Sequence, residues 1–270
     1  MRRASLLVPC WNALELTRVC LERALALAGA PLELVAVDNG STDGTRRWLA
    51  GLERRAARLS PGSRVVVLAN SRNRGYPAAM NQAAAAARGK FLVFGNADAA
   101  PTRGWLPAML AAFAAAPRAA AVSPCSNAPG RGRRRGWGAP PLYESLEGLD
   151  RLAAAADLAP AAPAFLPAEG FVPGFWLMTT RARLERVGGF DERFAPGGFE
   201  DFDLQWRLKK SGGQLGFAGR AYVHHVWFGC ARANGLSEAR LYGPARRRLL
   251  TEKHPETARI GMSVRTFLGR

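Results

Sequence analysis

Lys90-Phe91-Leu92-Val93-Phe94-Gly95-Asn96-Ala97-Asp98 is the stretch on which the fold of this chain turns. Four consecutive apolar residues make a short buried strand, and the strand runs directly into Gly, Asn, Ala and Asp. Open α/β sheets bind their ligands at the carboxyl ends of their strands. Asp98 therefore stands where a polyphosphate or metal site would be built. A loop-capping aspartate would look the same in isolation, so a functional role requires other strands to deliver polar residues to the same edge.

They do. Ser5-Leu6-Leu7-Val8 is an apolar strand ended by Pro9, which cannot donate to a ladder. Asn12 can cap the following helix, whose inner face carries Leu14, Leu21, Leu25 and Ala28. Leu32 to Val37 is a second strand, delivering Asp38-Asn39-Gly40-Ser41-Thr42-Asp43-Gly44-Thr45, a loop of turn and cap formers. Trp48, Leu52, Ala56 and Leu59 then mark one helical face. Arg64 to Leu68 is a third strand, Asn70 to Gly75 its polar loop, and Pro77 starts an Ala-rich helix. Strands alternating with helices predict a parallel, doubly wound sheet with right-handed crossovers. Asn12, Asp38, Asn73 and Asp98 then share one edge. No GxGxxG follows the first strand, which argues against a dinucleotide fold.

The second half is less regular. A helix over Trp105 to Ala116 and a strand over Ala121 to Ser123 precede a Gly-, Pro- and Arg-rich stretch from Asn127 to about Pro141, expected to be a mobile loop. Residues 142–168 are weakly helical. Phe171 to Thr180 is expected as a strand with Gly174-Phe175-Trp176 at its centre. Glu200, Asp201 and Asp203 crowd the start of a helix, where acids complement the helix dipole. That suffices for Asp203. For Asp201 the same dipole would keep a general base ionised, and Gly197-Gly198-Phe199 allows close approach of a substrate. His224 and His225 follow on an extended segment and point to opposite faces, so at most one serves a site there. From about Ser237 a basic amphipathic helix carries Arg240, Arg246, Arg247 and Arg248.

A chain of 270 residues suits one large α/β domain or two small ones. Its formal charge of +17 invites a nucleic-acid reading. The excess is nearly all Arg, spread along an Ala-, Gly- and Pro-heavy chain, so no specific nucleic-acid surface is expected; diffuse charge favours nucleotides, lipid phosphates or an acidic membrane surface. Cys10, Cys20, Cys125 and Cys230 lack metal spacing and suit reduced thiols in a cytoplasm. The N-terminus lacks the apolar core of a signal peptide, and no apolar run is long enough to span a membrane. The expected location is cytoplasmic, with peripheral contact at the inner membrane face.

A series of blocks in one order resembles the family 2, GT-A-fold inverting glycosyltransferases. They are Leu7-Val8-Pro9-Cys10-Trp11-Asn12; Val37-Asp38-Asn39-Gly40-Ser41-Thr42-Asp43-Gly44-Thr45; Asn73-Arg74-Gly75 with Asn81; Gly95-Asn96-Ala97-Asp98; Gly188-Gly189-Phe190-Asp191-Glu192-Arg193-Phe194; Phe199-Glu200-Asp201-Phe202-Asp203-Leu204; and His225. Each block is weak alone; the series is specific. The later blocks are similar to those of rhamnosyl-, galactofuranosyl- and other bacterial surface-polysaccharide transferases.

The resemblance implies an α/β GT-A fold: a Rossmann-like, mostly parallel sheet flanked by helices, with a nucleotide-sugar half (1–125), an acceptor-binding and catalytic half (126–236) and a basic tail (237–270). Pro9, Cys10, Trp11, Asn12 and Asp38 would hold the nucleotide base, with Asp38 accepting from a base N–H and Asn73 and Gly75 beside it. Asn96, Ala97 and Asp98 would form the D-x-D element, with Asp98 and His225 as ligands of a divalent ion, Mn²⁺ or Mg²⁺. Asp201 would deprotonate an acceptor hydroxyl, Glu200 would orient the acceptor, and Trp176 would stack on a sugar. The donor would be UDP- or dTDP-linked, and the acceptor a saccharide, a lipid-linked or another hydroxyl. One departure stands out: Asn96 replaces the first acid of D-x-D. It can bond a ribose hydroxyl but lends the metal no charge, so weaker metal binding, or none, is expected, with nearby Arg residues sharing the neutralisation of the diphosphate. Two rival readings remain. One is a non-catalytic GT-A-like protein binding polyanions or an anionic membrane. The other is a nucleotidyltransferase, which would need a Gly-rich basic loop where Val8-Pro9-Cys10-Trp11-Asn12 stands.

Overall fold

A computed structural model describes residues 4–127, 148–149, 164–166 and 170–260. The strands are β1 (Ala4–Cys10), β2 (Glu33–Asn39), β3 (Arg64–Asn70), β4 (Phe91–Gly95), β5 (Ala99–Pro101), β6 (Ala119–Cys125), β7 (Ala164–Phe165), β8 (Trp176–Thr180) and β9 (Gln214–His225). They form one sheet in the order β3-β2-β1-β4-β8-β6-β9-β5, with β7 also on β9. The first four strands are parallel, as their alternation with helices predicts. Beyond β4 the sheet is mixed. β8 runs antiparallel to both β4 and β6, β9 is parallel to β6, and β5 is antiparallel to β9. The two halves expected from the sequence share this one sheet.

The helices are α1 (Leu14–Ala26), α2 (Thr45–Leu49), α3 (Leu52–Leu59), α4 (Tyr76–Ala86), α5 (Trp105–Ala114), α6 (Arg181–Val187), α7 (Glu200–Lys210), α8 (Gly229–Ala233), α9 (Glu238–Leu241) and α10 (Pro244–Lys253). β1, β2 and β4 are covered on both faces, which is why they are nearly uninterrupted apolar runs. One core cluster lies under α1 and α5, built on Leu21, Leu25, Leu106 and Met109 with Trp105 and Trp176. The other lies under α4 and α7, built on Met80, Ala83, Leu204 and Leu208.

Several sequence expectations change. Pro9 does not end the first strand, which runs on to Cys10 with Pro9 opposite Val37, and the strand expected from Phe171 begins only at Trp176. The single helix expected after Asp43 is two, α2 and α3, separated at Ala50 and Gly51, and Leu59 is exposed rather than inward. Asn12 does not cap α1: it takes a left-handed conformation, and the first N–H of the helix, on Leu14, donates to Asp43 of the next loop at 2.9 Å. The two extended segments expected after Gly212 are one twelve-residue strand. The basic tail is not one helix, since Gly243 and Pro244 divide it into α9 and α10. The loop expected at 127–141 and the weak helix at 142–168 fall almost wholly outside the described residues.

The tail folds back on α7 through a buried charge cluster. Asp203, fully buried, accepts from Arg207 at 2.9 and 2.6 Å, from His254 Nε2 at 2.8 Å, and pairs with Lys253 at 2.6 Å. Lys253 also reaches Asp191 at 2.6 Å. Burial works to raise the Asp203 carboxyl, but these donors hold it below the usual range. Burial lowers His254. The folded state thus keeps Asp203 ionised and His254 neutral. Acid should weaken it first as pH falls through the ordinary histidine range near 6.5, then again below about 4. Removing one partner strands buried charge, so Asp203→Ala should cost about 3–5 kcal/mol in urea denaturation. In the intact protein the urea midpoint should fall from pH 7 to pH 4. A loss under about 1 kcal/mol would mean the latch contributes little.

Candidate active site

The carboxyl ends of β1, β2 and β4 open onto a cavity. Pro9 and Trp11 line it after β1, Asn39 ends β2, Asn73 follows β3, and Tyr76 starts α4. Asn96, Ala97 and Asp98 form its floor after β4. The far wall comes from later sequence: Pro196, Gly197, Gly198 and Glu200, then His225, Trp227, Phe228 and Cys230, then Leu236, Leu241 and Tyr242.

The loops on the first side are tied together by their own side chains. Asn12 Oδ1 accepts from the Thr42 N–H at 2.7 Å, and its Nδ2 donates to Asn234 at 2.7 Å. Asn39 donates to Asn73 Oδ1 at 2.9 Å and accepts from Asn70 at 3.0 Å. Asn73 Oδ1 also accepts the Gly75 N–H at 2.7 Å. Gly75 takes φ +84° and packs on Ala195 and Pro196, bringing the two sides into contact.

Asp98 and His225 meet because Ala99 pairs with His225 across the antiparallel β5–β9 ladder. The Val226 N–H donates to the Asp98 carbonyl at 2.9 Å. His225 Nε2 lies 3.0 Å from Asp98 Oδ1, and the Cys230 N–H donates to Oδ2 at 3.3 Å. Asn127 grips the His225 backbone on both sides, accepting its N–H at 2.8 Å and donating to its carbonyl at 3.1 Å. The Phe175 ring stacks on the imidazole at 4.5 Å. Burial pushes the Asp98 carboxyl up, but the charge and hydrogen bond of His225 outweigh it and hold Asp98 below the usual range. His224 lies off this cavity, and burial, with the neighbouring His225, lowers it to about 4.

Glu200 and Asp201 open α7. The Gly198 N–H donates to the Glu200 carboxylate. Gly198 has φ +102°, and any Cβ there would overlap the Leu241 carbonyl, so the loop passes under the tail only as glycine. Asp201 is partly buried against Gly174, where a Cβ would overlap its carboxylate, and it does not line the cavity itself. Burial raises both acids, and the Asp201 charge raises Glu200 further. After burial, the charges of Glu200 and Asp201 raise the phenols of Tyr76 and Tyr242 on the cavity wall, and Asp98 adds to this at Tyr76.

Several expected site residues turn away. Trp176 is fully buried with its ring edge-on to Trp105 at 5.2 Å, so it has no face for a sugar. Asp38 is fully buried, with Oδ2 on Arg46 at 2.5 Å and Oδ1 accepting the Ser41 N–H at 3.0 Å. It does not line the cavity; its strand neighbour Asn39, on the opposite face, does. Cys10 is fully buried in the core. Asn12 and Gly75 shape the loops without lining the cavity. Asn39, Tyr76, Trp227, Leu241 and Tyr242 line the cavity without having been expected there. Strand alternation puts Asp38 and Asn39 on opposite faces but does not say which face is the cavity.

Comparison with known proteins comes to the same architecture. The family described as Glycosyl transferase family 2 matches residues 5–163. A pre-mycofactocin glycosyltransferase of Mycobacterium tuberculosis is 30% identical over 169 residues, 60% of this chain and 32% of that protein. The chain therefore matches about a third of that relative's length. Among solved structures, a mannosyltransferase from Pyrobaculum calidifontis, in complex with GDP-Man and Mn²⁺, superposes with a TM-score of 0.59 at 21% identity, covering 100% of this chain and 73% of that one. Staphylococcus aureus TarS, residues 1–349, gives 0.57 at 17% identity, covering 86% of this chain and 63% of that one.

Core and wall aromatics should separate experimentally. Trp176→Ala should cost about 3–5 kcal/mol in chemical denaturation, as a buried large-to-small change does. Tyr242→Ala, on the cavity wall, should cost less. Equal stability losses in the two variants would contradict this placement.

Proposed function

Because the chain belongs to glycosyl transferase family 2, we propose that it moves a sugar from a nucleoside-diphosphate donor to an acceptor hydroxyl with inversion, in the synthesis of a polysaccharide or glycoconjugate. The observation that carries this is the meeting, in one cavity, of Asp98 and His225 from the end of the sheet with Glu200 at the start of α7, next in sequence to Asp201. On this reading the base lies between Pro9, Trp11, Asn39 and Asn73, and the diphosphate lies over Asn96 to Asp98. On this reading the donor is UDP- or dTDP-linked, with its pyrimidine packed beside Pro9, Trp11 and Asn73.

Asp201 takes the proton of the acceptor hydroxyl as its oxygen attacks the anomeric carbon, while the bond to the diphosphate oxygen breaks on the opposite face. Glu200, bordering the cavity, orients the acceptor. Burial suits both to these tasks, because a raised carboxyl is a better proton acceptor near neutral pH.

Asp98 and His225 fit a divalent cation as a two-donor set. Ligands at right angles on bonds of about 2.1 Å lie about 3 Å apart, and Asp98 Oδ1 and His225 Nε2 are 3.0 Å apart. Mn²⁺ suits the imidazole better than Mg²⁺ does. Binding would move the imidazole proton to Nδ1, which has no partner among the described residues, so the site is a weak one. The ion, when bound, offsets negative charge developing on the leaving diphosphate. No group of three or more His, Cys, Asp or Glu among the described residues is placed to hold a metal. No helix among them is long and apolar enough to cross a membrane, and peripheral membrane contact through the basic tail stays part of the proposal.

UDP or dTDP with Mn²⁺ should raise the melting temperature, whereas a polyanion such as heparin should not. Stabilisation by the polyanion alone would favour the non-catalytic reading. Asp201→Asn should lower the transfer rate about 10²–10⁴-fold while nucleotide affinity stays within twofold. The wild-type rate should fall on the acid side at a pH well above the usual carboxylate range near 4. Near wild-type transfer in the variant would remove Asp201 from the base role.

A further inference from the structure

The cavity wall near Glu200 carries hydrogen-bonding groups with nothing in the protein to bond. Tyr76, the first residue of α4, and Tyr242, between α9 and α10, both line it. No hydrogen bond reaches either phenol oxygen from the described residues. The Trp227 indole N–H, on the same cavity's wall, is enclosed and also lacks a partner among them. Both tyrosine rings are fixed. Tyr76 packs edge-on against Phe190 at 6.0 Å, and its backbone N–H donates to the Pro196 carbonyl at 2.8 Å. Tyr242 lies edge-on to Phe199 at 5.2 Å and to Phe228 at 6.2 Å. Phe199 and Phe228 both take left-handed backbone, at φ +69° and +59°, which is unfavourable for bulky residues. Two strained turns therefore hold the Tyr242 ring. After burial, the charges of Glu200 and Asp201 raise both phenols, and Tyr76 also feels Asp98 and Tyr242. The two hydroxyls thus stand near the carboxyl pair, stay neutral at ordinary pH, and can each donate and accept.

We propose that Tyr76 and Tyr242 are acceptor-binding residues whose phenol hydroxyls hold the hydroxyls of a saccharide on either side of the attacking oxygen, which makes the acceptor a sugar rather than an alcohol on an apolar body. This rests on the transferase reading above and narrows its acceptor. Trp176, expected to stack on the acceptor, is buried in the core, so the task falls to other aromatics. A sugar presents apolar C–H faces and an edge of hydroxyls, and this wall offers rings with a few fixed polar groups. An alkyl chain laid on the same wall would seal the two phenols and the indole N–H from water and leave them unpaired, which costs binding. Tyr242 lies beyond residues 5–163, where the family match ends, so half of this pair comes from the tail.

Saturation-transfer NMR on protein carrying UDP and Mg²⁺ tests this, with 1-octanol and the methyl α- and β-glycosides of glucose, galactose, mannose and rhamnose as probes. At least one glycoside should bind, and octanol should not displace it. Tyr76→Phe and Tyr242→Phe each remove one oxygen and keep the ring. Each should weaken that glycoside about threefold to tenfold, the loss of one hydrogen bond. The rise in melting temperature given by UDP should stay as in the wild type. A purely structural role would instead lower the melting temperature itself and leave glycoside affinity alone. Equal glycoside affinity in the wild type and both variants would overturn the proposal, as would binding of octanol in place of any glycoside. UDP binding with no glycoside bound overturns it and leaves the transferase reading standing. A protein that binds neither sinks both.

Discussion

The contact between Asp98 and His225 is the constraint that the cavity depends on. The two residues lie 127 positions apart. They meet because a three-residue strand after the Asn96–Asp98 turn pairs antiparallel with the last residues of β9. Asn127 clamps the imidazole backbone, Phe175 stacks on the ring, and the Cys230 N–H bonds the carboxylate. A buried carboxylate is costly to leave ionised, and these partners offset that cost. The cavity-lining turn at Trp227 and Phe228, and α8 after it, follow directly from this junction.

The fate of the other buried acids shows how the molecule divides its charge. Glu33, at the amino end of β2, accepts from Ser5 Oγ and from the Arg88 N–H, each at 2.6 Å, and pairs with Arg64. Asp38 is saturated by Arg46 and the Ser41 N–H. Asp203 is surrounded by Arg207, Lys253 and His254. Each is a structural tie, and each uses some of the arginine excess that makes the sequence look like a polyanion binder. Glu200 and Asp201 differ. Backbone N–H groups bond them and no cation among the described residues pairs with them directly, so burial raises both. A carboxyl left at that level can exchange a proton near neutral pH, which the saturated acids cannot.

The C-terminal segment is a wall of the site rather than an appendage. Arg246 donates to the Ala195 carbonyl at 3.0 and 3.2 Å and to the Leu241 carbonyl at 3.3 Å. Gly198 passes directly beneath Leu241. The Tyr242 ring packs edge-on against Phe199 at 5.2 Å. Loop and tail therefore hold one another, and the Asp203 cluster anchors the tail from behind.

The parallel core was legible in the sequence because its strands are short apolar runs, three of them covered on both faces, that end in turn-forming residues. That pattern is local, and it placed β1 to β4 and their polar ends. The block order also pointed to the family, and with it the cavity-lining residues Asn73, Asn96, Asp98, Glu200 and His225. The sequence could not show which of two neighbours on a strand end faces the cavity, so Asp38 stood in for Asn39. Nor could it show that Trp176, expected to stack on a sugar, packs edge-on against Trp105 in the core. It gave no sign that Leu241 and Tyr242 close the site. Strand alternation and loop chemistry are fixed within a few residues of chain. Which face is covered, and by what, depends on strands and helices that arrive a hundred or more residues later, and only the folded packing decides that.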